Sequence, residues 1–232
     1  SMKKRGEVAA VAAMLVILGW PNAPGAVAQV ASPAAASAPA PAQPPELDRT
    51  AALLYQIVAA ELALQRGDAG SAFATYLSVA RQTRDARIAR RATEIAISGR
   101  AGPQALEAAT LWNELDPDSR DARQAHALLL VATGRLADAE PLFAALLRES
   151  RQPAAELGQI QRAVARAEDR GAAYAMLERL ATPLLKQQEI AADVQLTLAA
   201  GAHQAGLAGR AVEAARAALA LRPDDQRIVL TA

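Results

Sequence analysis

From position 47 onward, apolar residues recur every three to four positions, the period of a helix with one buried face. Leu53, Leu54, Ile57, Val58 and Leu62 form the first stripe, interrupted by Glu61 and Gln65. Gly67-Asp68 ends it, and a second apolar run, 72–79, follows after a short turn. This is the signature of a helical hairpin, and it recurs. The position opening the second helix is filled by Ala72, Ala105, Ala139, Ala173 and Ala211, at spacings of 33, 34, 34 and 38. Four residues later stand Tyr76, Ala109, Phe143, Leu177 and Ala215, and three further on Val79, Trp112, Leu146, Leu180 and Ala218. Gly67, Gly134 and Gly206 stand five before three of the alanines, whereas repeats two and four carry Arg100 and Glu168 there. The four extra residues ahead of the last unit fall within 182–188 and predict a longer loop.

Each position has a physical reason. Glycine adopts the left-handed backbone that reverses the chain between helices. Alanine at a helix crossing lets two backbones approach closely, and proline, at Pro117 and Pro223, cannot continue a helix. No hairpin buries its own apolar face, so each needs its neighbours. The pattern resembles the tetratricopeptide repeat over 47–232. The resemblance implies an all-α, right-handed superhelical solenoid of about five hairpins. Because 226–232 reads as the start of another helix, the solenoid is expected to be truncated at the C-terminus.

The N-terminus follows other rules. Lys3, Lys4 and Arg5 precede an apolar run, 8–20, too short to span a bilayer, and Ala26-Val27-Ala28 supplies a small-x-small cleavage pattern. Residues 1–28 are thus predicted to be a signal peptide. Residues 29–46 are rich in alanine, proline and serine, which predicts a disordered, semi-stiff linker. Export without any cysteine fits the periplasm of a Gram-negative bacterium, with no membrane insertion once the signal is removed.

Composition then narrows the chemistry. The absence of cysteine excludes disulfides, thiolate metal sites and cysteine nucleophiles. A formal charge of +1 gives no reason to expect nucleic acid as a partner. His126 and His203 have no second histidine at metal-pairing spacing, and Gly201, Gly206 and Gly209 do not form a dinucleotide loop. His126 is expected to be partly buried and satisfied. No catalytic constellation emerges, so the reading is non-catalytic, with no cofactor and no metal.

What remains is surface. In a tetratricopeptide superhelix the first helix of each pair lines the concave groove. Here that face would carry Arg87, Arg90, Arg91 and Glu94 from repeat two and Gln124 from repeat three. Arg162 and Arg166 from repeat four and His203 from repeat five would extend it. Such an arginine-lined track suits the carboxylates and carbonyls of proteins or peptides.

Three stretches carry a closer likeness: 53–68, running from Leu53-Leu54-Tyr55 to Arg66-Gly67-Asp68; 80–96, around Ile88-Ala89-Arg90-Arg91; and 111–117, with Leu111-Trp112 and Leu115-Asp116-Pro117. They are similar to the LbcA-type tetratricopeptide lipoproteins of proteobacterial envelopes. That resemblance implies an adaptor joining a carboxyl-terminal processing protease to its substrates, peptidoglycan hydrolases. This chain departs from it in lacking a cysteine to lipidate. Two other readings share the repeat: a structural scaffold in outer-membrane or secretion assembly, and the helical part of an enzyme whose catalytic domain lies beyond Ala232.

Overall fold

The computed structural model describes residues 46–223. The predicted signal peptide, nearly all of the predicted linker and the segment 224–232 lie outside the described residues. Among the described residues, ten α-helices pair into five hairpins. These are α1 (Glu46–Gln65) with α2 (Ala69–Thr83), α3 (Ala86–Ser98) with α4 (Gly102–Leu115), α5 (Arg120–Ala132) with α6 (Leu136–Glu149), α7 (Pro153–Val164) with α8 (Arg170–Ala181), and α9 (Gln188–Gln204) with α10 (Ala208–Leu221). The connection between α8 and α9 is longer, as the 38-residue spacing predicts, and it contains a 3-10 turn, Leu184–Lys186. No strand occurs among the described residues, and no helix there is long and apolar enough to cross a membrane.

The repeat positions are the core. Ala72, Ala105, Ala139 and Ala173 are at most 3% exposed, and only Ala211, in the last hairpin, is half-buried. The residues four and seven further on are buried in all five repeats. A side chain repeated at this phase therefore always points between helices, and its size sets how closely they pack.

The turns show how much of the repeat is backbone chemistry. Gly67, Gly134 and Gly206 have φ of +81°, +77° and +76°. After each, the next amide donates back to a carbonyl of the preceding helix, as Asp68 N to Ala63 O at 2.9 Å and Arg135 N to Leu130 O at 2.8 Å. Repeat two keeps the same turn without glycine: Arg100 has φ +55°, and Ala101 N reaches Ala96 O at 2.9 Å. Repeat four drops it. There Ala167 N donates to Val164 O at 2.9 Å, and Asp169 caps α8 by accepting from Ala172 N at 2.8 Å.

The buried side chains fall into distinct clusters. The largest runs from α5 to α10 and holds Phe143, Leu146, Leu157, Met176 and Leu177. A smaller one joins α1 to α4 through Tyr76, Leu77 and Ile95. Ala80, Ala89, Trp112 and Ala122 form a bridge between repeats one to three.

Candidate functional site

The α3 face comes first, because four of the predicted groove residues lie on it. Arg87 turns back on Asp85, the residue capping its own helix, at 2.6 Å. Arg90 pairs with Glu94 one turn on at 3.0 Å, and its guanidinium lies 5.5 Å from the centre of the Trp112 ring. Arg91 crosses to α1, meeting Glu61 at 3.1 Å, and lies 3.7 Å from Glu94. Glu61 also accepts from the Tyr76 hydroxyl at 2.5 Å. That hydroxyl and then Arg91 hold the Glu61 carboxyl below its ordinary range, while burial pushes the Tyr76 phenol up. Arg87, Arg90, Arg91 and Glu94 are thus already engaged within the chain, and Arg91 ties the first two repeats together.

The other four predicted residues stand differently. Gln124 is half-buried on α5. Arg162 on α7, Arg166 in the turn after it and His203 on α9 are exposed, and neither arginine makes an ion pair among the described residues. The eight residues therefore separate into a knotted α3 group, the half-buried Gln124 on α5, and a more open group on α7, the turn after it and α9.

Arginine's wider role is bracing successive repeats. Arg81 meets Glu107, Arg120 meets Glu156 and Arg179 meets Glu140, at 2.6 to 2.7 Å. Arg123 joins Glu149 at 2.6 Å and also donates to Pro117 O at 2.8 Å. Partly exposed pairs of this kind are worth about 0–1 kcal/mol each. Gln161, 6% exposed, donates to Gln204 at 2.6 Å and joins α7 to α9.

Two clefts open beside this bracing. One, of about 640 Å³, lies among the end of α6, α8 and the 3-10 turn, over Leu147, Leu180 and Leu184. The other, of about 570 Å³, lies between α7 and α9 and is lined by Gly158, Arg162, Ile190, Asp193 and Thr197. Both share Arg151 and Pro153 at the α6–α7 turn.

His126 differs in part from expectation. It is half-buried and its Nε2 lies 3.2 Å from Thr110 Oγ1, but its Nδ1 is buried without a partner. No group of His, Asp and Glu residues that could hold a metal ion occurs among the described residues.

The stacked hairpins, with the repeat residues buried in one phase, form an all-helical hairpin-repeat fold. No family model matches the chain. It is 39% identical over 82 residues to a TPR repeat-containing protein of Pseudomonas aeruginosa, a stretch that covers 35% of this chain but only 14% of the relative's length. Among solved structures, it is similar to a tetratricopeptide repeat protein from Parabacteroides merdae (TM-score 0.46, 15% identity, 77% of this chain and 70% of that chain). It is also similar to YrrB, described as a TPR protein with an unusual peptide-binding site (TM-score 0.43, 15% identity, 75% of this chain and 88% of that chain).

Proposed function

We propose that the chain is a non-catalytic adaptor of the periplasm that presents its helix faces to protein partners, among them a carboxyl-terminal processing protease and its cell-wall hydrolase substrates. The observation that carries the protein-binding part is the division of labour among the arginines: many are spent bracing the stack, while those of α7 and the α6–α7 turn remain open to a ligand. The protease part rests on the residues of 53–117 that resemble the envelope adaptors, and the periplasmic part on the N-terminal sequence.

The test is a cross-linked pull-down from native periplasm with the mature chain, read by mass spectrometry. Recovery of a processing protease together with a cell-wall hydrolase is expected. Recovery of outer-membrane assembly factors without a protease overturns the adaptor reading in favour of a scaffold. Arg90→Glu is the variant to use for the α3 face, since Arg91→Glu would also release Glu61 and disturb the first two repeats.

A further inference from the structure

The two clefts that meet at Arg151 and Pro153 are lined by four arginines and two carboxylates. Both carboxylates are already neutralised. Glu140 receives Arg179 Nε and Nη2 at 2.8 and 2.7 Å, and Asp193 receives Arg222 at 2.9 Å. Arg148, Arg151 and Arg162 make no ion pair among the described residues. The track therefore carries uncompensated positive charge in a chain whose overall formal charge is only +1.

Beneath that charge is an apolar floor. Leu147, Leu180 and Leu184 line the larger cleft, and Ile190 lines the smaller. The residues that lengthen the fifth repeat build one wall, because Pro183, Leu184 and Gln187 belong to the α8–α9 connection. A ligand reaching both clefts must pass over the α6–α7 turn. An extended chain, rising about 3.3 Å per residue, can follow such an edge, whereas a helix roughly 10 Å across fits one groove at a time.

We infer that this track binds an extended acidic segment of a partner protein, with carboxylates on Arg148, Arg151 and Arg162 and an apolar side chain on the leucine floor. The inference rests on the protein-binding reading above and adds the place and the chemistry of the contact. Arginine's planar fork suits carboxylates, and the leucines distinguish an acidic peptide from a purely polar polyanion.

Fluorescence anisotropy with the full chain tests this, using a fluorescein-labelled pool of degenerate decapeptides of aspartate, glutamate, leucine and alanine. A matched pool has lysine in place of the acids. The acidic pool is expected to bind and the basic pool not. Arg151→Glu, at the junction, is expected to weaken binding about tenfold or more, as loss of a charge-assisted contact and its reversal imply. Arg66→Glu, outside both clefts, is expected to leave it unchanged. The inference is overturned if Arg151→Glu binds as tightly as the unmodified chain, if Arg66→Glu loses as much, or if an oligothymidylate of equal charge binds equally well. Unchanged capture of envelope partners by Arg151→Glu would overturn this site and leave the adaptor reading standing.

Discussion

Arg100 carries the turn of repeat two in a conformation that suits glycine. Its φ of +55° places it in the left-handed region, where a Cβ is disfavoured by about 1–2 kcal/mol. The same turn in repeats one, three and five uses glycine. Arg100→Gly is therefore expected to raise stability by about 0.5–1 kcal/mol, after allowance for glycine's extra freedom in the unfolded chain. A higher urea midpoint with an unchanged slope would show it, and an equal or lower midpoint would refute it. Gly201 presents the opposite case. Its backbone is ordinary helix, yet a Cβ there would lie 2.7 Å from Leu177 Cδ2, a side chain 1% exposed. Gly201→Ala is expected to cost about 1–3 kcal/mol by overpacking. The same urea titration decides it, since a neutral result would mean that Leu177 can move aside. These two glycine questions have different causes, one in dihedral angle and one in space.

Between α4 and α5, His126 joins two repeats and its proton position can be worked out. The Thr110 hydroxyl donates to Leu106 O at 2.8 Å, so toward His126 its oxygen accepts, and Nε2 carries the hydrogen. Nδ1 is then a bare acceptor, buried without a partner. Burial, followed by the charge of Arg135, pushes the imidazole pKa below its ordinary 6.5, with Glu114 and Asp138 opposing. A base depressed on folding takes up its proton more readily in the unfolded chain. Stability is therefore full above pH 6.5 and falls as the pH drops below that value. Melting temperatures measured from pH 7.5 down to 5 should show a decline that His126→Gln lessens, and parallel profiles for the two chains would exclude the effect. The element scale also shows what the sequence made legible. The hairpins, their phase and the long fifth connection follow from periodicity, because a buried position repeats every turn. The Glu61–Arg91 pair does not, because its residues lie 30 apart and stand on different repeats. Nor does the left-handed Arg100, since arginine gives no local signal for that backbone. The repeat phase points to Arg162 as a groove residue but gives no signal for Arg148 and Arg151, because their cleft depends on how the α6–α7 turn and the α8–α9 connection face each other.

At the scale of the whole described unit, the core is unevenly divided. The cluster from α5 to α10 is much larger than the one holding α1 to α4, and Trp112 with three alanines forms the bridge. In a repeat protein, stability is close to a sum of repeat and neighbour-interface contributions, so a thin interface limits how far cooperativity spreads. Trp112 is 7% exposed, packs within the bridge cluster and lies under the Arg90 guanidinium. Trp112→Ala is expected to cost about 3–5 kcal/mol, as large aromatic truncations in a core do. Its more telling consequence concerns coupling. With the bridge removed, α1–α4 should open without α6–α9, and hydrogen exchange followed by mass spectrometry should show protection lost first in 46–115 and retained in 136–204. Phe143→Ala, inside the large cluster, should instead release α5–α10 and leave the first four helices less affected. If both substitutions lower protection uniformly from α1 to α10, the unit folds as one cooperative body, and the bridge at Trp112 is an ordinary part of its core.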